Sequence, residues 1–311
     1  MGITMKKQSL ILLLAMSFIS SFVFAQELPL TNKAAQLCQD KNLDAAVEKI
    51  NEAIKSVEAN QPYAWYVKGF IYKEVYKQNE LNNRNSKNRE VAVESFLKAL
   101  EMDKKREHSE MTKAGIKYLA TTYYNDALLR TRDFDLTTAA EAETLFNDFR
   151  RLMRTVDPVF AMKTYEKEFS KSMAQRYFML WQLDYDNDEV SEKALAQYGN
   201  ALRADSLDGD THYNIAAIYY NRAVFKYRQL NADTDIFDLV NIQQECANLI
   251  KNRALVHMNK AYEIIPERGD VVRGLMFIHR ALEHENDVEY FKSEIERLIS
   301  EGKITAPSNT E

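Results

Sequence analysis

The chain is 311 residues long and carries 41 basic against 46 acidic side chains, a net charge of −5. That balance leaves no basic footprint for nucleic acid, so no nucleic-acid partner is expected. Eight glycines and five prolines are few for this length, which excludes a strand-rich, turn-dense fold and predicts an all-α one.

The first element is a targeting segment. Lys6 and Lys7 precede the apolar run "QSLILLLAMSFISSFVF", and Val23 and Ala25 stand where a signal peptidase takes small residues. Residues 1–25 are therefore predicted to be a signal peptide cleaved near Ala25-Gln26, giving an exported protein, periplasmic or secreted. Retention as an anchor is the alternative, although the run is short for a comfortable membrane span. Gln26 is not a cysteine, which argues against lipid attachment, and no later stretch is apolar enough to cross a bilayer. Removal of the segment takes Lys6 and Lys7 with it and makes the chain more acidic.

Residues 26–302 then read as about six helical hairpins, near 30–59, 62–106, 110–156, 158–206, 209–267 and 270–300. Pro62 and Pro158 fall at hairpin starts, where a missing N–H costs nothing. "DSLDGD" at 205–210 combines turn residues with an N-cap. Two hairpins should have lengthened arms, turning at the Asn-rich "NELNNRNSKN" and at "NADTD". Ile236, Phe237, Leu239, Val240 and Ile242 beyond the second turn favour added helix over loop. The tail 303–311 has no pattern and is predicted to be disordered.

A phrase recurs along the chain. Leu119-Ala120-x-x-Tyr123-Tyr124-Asn125-x-Ala127 aligns with Ile215-Ala216-x-x-Tyr219-Tyr220-Asn221-x-Ala223. Trp65, Gly69 and Tyr72 repeat the spacing large, small, aromatic on a first helix. Ala92, Phe96 and Ala99 mark a second helix at i, i+4 and i+7, as do Ala46, Ile50 and Ala53, then Ala194, Tyr198 and Ala201. Ala254, Met258 and Ala261, followed by Pro266, make the sharpest copy.

In these residues the chain resembles the tetratricopeptide (TPR) repeat. The likeness is good in the first, second and fifth hairpins, partial in the third and fourth, and weak in the sixth. It implies an α-α superhelical solenoid of TPR-like hairpins in which Gly69, Ala120 and Ala216 let neighbouring helices approach while Trp65, Tyr72, Tyr123 and Tyr219 fill the gaps. Departures from the pattern are the long separations between Tyr72 and Ala92 and between Tyr219 and Ala254.

No chemistry competes with this reading. Asp184, Asp186 and Asp188 imitate the start of a calcium loop, but Glu189 replaces its glycine and Leu195 its final glutamate. His279 and His284, with Glu283 between, match neither zinc-protease spacing, since one residue of slip turns a helical side chain by about 100°. Gly269-x4-Gly274 lacks the lysine of a phosphate loop, which Leu275 replaces. No enzyme, metal or cofactor is predicted. Cys38 and Cys246 are expected as separate buried thiols.

The family resemblance implies a concave groove along the first helices. It would be lined by Tyr66, Phe70 and Lys73, by Lys117, Tyr124 and Asn125, and by Tyr213, Tyr220 and Asn221. Rings, amides and lysines suit an extended peptide, whose backbone pairs with amides and whose side chains rings cover. The expected function is a non-enzymatic protein-interaction module of a Gram-negative envelope. The alternatives are an assembly factor docking on an outer-membrane complex through its long arms, or an accessory glycan-binding protein.

Overall fold

The computed structural model describes residues 28–81, 83–132 and 135–305. The expected signal segment and the last part of the tail, 306–311, lie outside these. Every regular element among the described residues is a helix, and helices pack as consecutive pairs that follow the expected hairpins. The pairs are α1 (Pro29–Gln39) with α2 (Leu43–Ile54), α3 (Pro62–Asn79) with α4 (Lys87–Met102), and α5 (Ser109–Arg130) with α6 (Leu136–Val156). They continue with α7 (Lys163–Leu183) and α8 (Asp188–Ala204), then α9 (Gly209–Arg228) against α10 (Ile236–Leu249) and α11 (Leu255–Ile264). The last pair is α12 (Gly269–Ala281) with α13 (Glu285–Ser300). The all-α helical-hairpin architecture is thus the one the repeat predicts. The chain divides between Leu119 and Ala120, inside α5, into two compact units.

In the first unit the repeat residues make a tight junction. Ala64, Val67 and Ile71 of α3 are buried with Ala92, Phe96 and Ala99 of α4. Phe96 is fully buried in a slot walled by two glycines: a Cβ on Gly69 would lie 2.6 Å from its ring, and one on Gly115 would lie 2.5 Å away. Burying such a ring is worth about 3 kcal/mol, and the glycines are what admit it. Pro62 opens α3 as expected. The Asn-rich turn is organised around Arg89, a residue without signal in the repeat. Its buried guanidinium lies 5.4 Å from the Tyr76 ring and donates to the Arg84 carbonyl at 2.6 Å. At the other end Glu58, buried in a 3₁₀ turn at Val57–Asn60, accepts from the Leu30 and Thr31 N–H groups and the Thr31 hydroxyl. It thereby satisfies orphan donors at the start of α1.

The second unit begins with an aromatic cluster between α6 and α7, in which Phe146 stacks on Phe169 with ring centroids 4.2 Å apart. Asn187 caps α8, Asp188 faces Arg222 at 3.4 Å, and Asp186 accepts from Gln229 at 2.8 Å. The turn after α9 falls at the expected "NADTD", and Asp235 caps α10. Between α10 and α11, residues Ile250–Ala254 form a π-turn. The extra residue per turn keeps Cys246, Ile250, Ala254 and Met258 on one buried face although they are spaced by four. Cys38 and Cys246 are both free and buried, and burial raises both thiols, Cys38 to about 11. At the C-terminus Ile304, which the sequence placed in the patternless tail, packs on the core beside Gly269. Its apolar side chain and the Lys303 N–H bond to the Leu298 carbonyl tie this stretch down.

Candidate partner-binding site

In the second unit, α9 and α12 hold a cavity of about 380 Å³ between them, floored by Met258 of α11. Helix α9 contributes Tyr213, Ala217, Tyr220 and Asn221, residues one turn apart on a single face. Helix α12 answers with Asp270, Arg273, Gly274 and Phe277. The space has two causes. Ala217 presents only a methyl, and Gly274 presents no side chain, so that Met258 lies where a Cβ would be (2.5 Å from its terminal methyl).

Charged groups gather at the Tyr213 end, and Asn221 lies two turns further along α9. Arg273 pairs with Asp270 at 2.8 Å, and the Arg268 guanidinium lies over the Tyr213 ring at 4.9 Å while also pairing with Asp210. Burial raises the Tyr213 and Tyr220 phenols, which therefore stay neutral and serve as donors and acceptors at physiological pH. Phe277 is 43% exposed and lies on the α12 side of the cavity. Rings from both helices, the Asn221 carboxamide on α9 and the Asp270–Arg273 ion pair on α12 give the cavity both apolar and hydrogen-bonding walls. No nucleophile–base pair lines it.

The sequence-predicted residues divide sharply. Tyr213, Tyr220 and Asn221 are brought together in this cavity. In the first unit, Tyr66 is buried: its ring packs 6.0 Å from Phe96 and 6.3 Å from Phe70, and burial pushes its phenol up to about 12. Phe70 is partly exposed, with the Lys73 ammonium 4.3 Å above its ring, and Lys73 also pairs with Glu74. Lys117 and Asn125 are exposed. Tyr124 is buried, donating its hydroxyl to Glu168 at 2.6 Å amid Phe149 and Tyr165. Burial, and then that bond, push its phenol upward.

Sequence reasoning missed the α12 half. Arg273, Asp270 and Phe277 belong to the hairpin with the weakest repeat signal, and the spacing of Gly274 from Gly269 imitates a phosphate loop. The small size of Gly274 beside an A-x3-M-x2-A helix was the available clue. Among the described residues, three potential metal-ligating side chains meet only at His279, His284 and Asp287, with ligand atoms within 4.8 Å of one another.

No family model and no curated protein matches the chain. Among solved structures it is similar to PilW, a widely conserved type IV pilus biogenesis factor, at 16% identity over 86% of this chain and 91% of that one, with a TM-score of 0.33. It is similar to a monomeric mutant of IFIT1 with Gppp-AAAA at 12% identity and a TM-score of 0.35, over 84% of this chain but 47% of that one. The nuclear import adaptor Nro1 of S. pombe matches at 13% identity over 93% of this chain and 96% of that one, with a TM-score of 0.34. At these values the likenesses assign neither partner nor activity.

Proposed function

We propose that the chain is a non-enzymatic, tetratricopeptide-type interaction module that holds a protein segment, with the α9–α12 cavity as its anchor point. The observation that carries this reading is the convergence of Tyr213, Tyr220 and Phe277 with Asn221 and the Asp270–Arg273 pair around one open space. An extended segment would seat an apolar side chain against Met258 and Ala217, and its backbone would pair with the Asn221 amide. The basic and apolar N-terminal segment supports an exported module, working in the envelope of a Gram-negative bacterium.

The test uses the untagged full chain as bait for a displayed peptide library and for envelope extracts. Ala217→Phe fills the cavity with a ring of the kind found at Phe70, and Tyr213→Ala/Tyr220→Ala strips its walls. Peptides selected by the normal chain should bind each variant at least tenfold more weakly, with helicity unchanged by circular dichroism. Selection of the same peptides at the same strength by Ala217→Phe removes the cavity from the proposal.

A second reading has one observation of its own. At the start of α10, in the lengthened arm of the fifth hairpin, Ile236 is 62%, Phe237 77% and Val240 43% exposed. These apolar side chains lie at i, i+1 and i+4, a stripe that suits docking onto a larger assembly. Ile236→Glu/Phe237→Glu should abolish such docking and leave peptide capture intact.

A further inference from the structure

We infer that the turn between α12 and α13 is a divalent transition-metal site formed by His279 Nδ1, His284 Nδ1 and an Asp287 carboxylate oxygen. The site is independent of the cavity reading above.

The chain brings these groups together through a helix ending. The His284 N–H bonds to the His279 carbonyl at 3.0 Å and the Glu283 N–H to the Arg280 carbonyl at 3.1 Å, with Glu283 in the left-handed region at φ 58°. This is the Schellman pattern, in which the residue after the left-handed one folds back over the residue three from the helix end. That contact is ordinarily apolar. Here it is a pair of imidazoles, their Nδ1 atoms 3.1 Å apart. Asp287, in the first turn of α13, reaches back to the same point, with its Oδ2 3.4 Å from His279 Nδ1 and 3.8 Å from His284 Nδ1.

Those separations fit one ion. Two ligand atoms each about 2.0–2.1 Å from a zinc-like ion, at angles between octahedral and tetrahedral, lie about 2.9–3.4 Å apart. Two of the three distances fall within that range, and rotation of the exposed Asp287 side chain closes the third. His279 is held in place by the Phe291 ring, stacked 5.5 Å away, and its side chain is 11% exposed. His284 and Asp287 face solvent at 45% and 53% exposure, which leaves an entry path. Two imidazoles and a carboxylate suit zinc, nickel or copper over calcium or magnesium.

The sequence reading dismissed His279 and His284 by counting residues along an unbroken helix. The helix ends at Ala281, so the count does not apply, and the third group is Asp287 instead of Glu283.

The experiment titrates Zn²⁺ and Ni²⁺ separately into the untagged, chelator-stripped full chain, by calorimetry and thermal unfolding. One ion per chain should bind and raise the unfolding temperature. His284→Ala and Asp287→Asn should each weaken binding by on the order of tenfold to a hundredfold or more. Glu283→Gln and His212→Ala should not. The second is a control for the other histidine pair, His212 and His257, whose Nδ1 atoms lie 3.0 Å apart without a carboxylate ligand. Absence of binding overturns the assignment, and so does binding that survives His284→Ala or is lost in His212→Ala. NMR of the imidazole nitrogens gives a readout independent of stability, because the Nδ1 signals of His279 and His284 should shift together.

Discussion

Helices α3 and α9 carry the same face of the same repeat, and the structure treats the two faces in opposite ways. Tyr66, Phe70 and Lys73 on α3 correspond in register to Tyr213, Ala217 and Tyr220 on α9, since Gly69 and Ala216 mark the same position. On α3 large side chains occupy the face, and Phe70 is still 37% exposed. Phe96 fills the slot between glycines, Tyr66 lies against it, and the Lys73 ammonium covers Phe70. On α9, Ala217 replaces Phe70 and the following helix B supplies Met258 in place of Phe96, and the vacated volume is the cavity. The repeat residues thus decide how closely helices approach. The positions between them decide whether the face leaves a cavity.

The largest expected effect separates the two helix B residues. Phe96→Ala should cost about 3–5 kcal/mol, because the slot walls are helix backbone at Gly69 and Gly115 and cannot collapse inward. Met258→Ala should cost about 2 kcal/mol, the low end for such a truncation, since Met258 already borders open volume. Urea midpoints of the two variants give the comparison. Equal losses would break the distinction between a filled and an open junction.

A smaller effect should differ in sign. Gly115→Ala places a Cβ 2.5 Å from the buried Phe96 ring, which has nowhere to go, and should destabilise by about 1–3 kcal/mol. Gly274→Ala meets the terminal methyl of Met258 at the same distance, but that methyl can swing into the cavity. The better helix propensity of alanine, about 1 kcal/mol, then offsets the contact, and stability should hold or rise slightly. Destabilisation by Gly274→Ala as large as that by Gly115→Ala would mean that Met258 is not mobile.

These contrasts show where the sequence was legible. Periodicity placed the hairpins and both lengthened arms, because a buried helical face leaves its spacing in the chain. The tight junctions were readable too, since Gly69 and Phe96 declare themselves by size. Burial of the lining positions was not. Tyr124 and Tyr220 stand in the same phrase, yet Tyr124 is buried with a hydroxyl bond to Glu168 and its ring against Tyr165, both on a helix whose repeat signal is only partial. Tyr220 faces the cavity beside Gly274. The deciding residues sit on the neighbouring helix, and only packing brings them into register. Arg89 and the π-turn at Ile250–Ala254 were hidden for a related reason. They lie in the stretches between Tyr72 and Ala92 and between Tyr219 and Ala254, which the repeat pattern does not describe.

The smallest expected effect calibrates the glycine comparison. Gly199 lies inside α8, and a Cβ built there meets nothing within 4 Å. Gly199→Ala should therefore stabilise by roughly 0.4–1 kcal/mol, from propensity and the reduced freedom of the unfolded chain alone. Subtracting that increment from the Gly115→Ala and Gly274→Ala results isolates the steric contribution at each junction. If Gly199→Ala is neutral, the near-neutrality expected of Gly274→Ala no longer implies that Met258 yields by a compensated amount. The contact itself would then have to be free, and the cavity correspondingly softer than its side chains suggest.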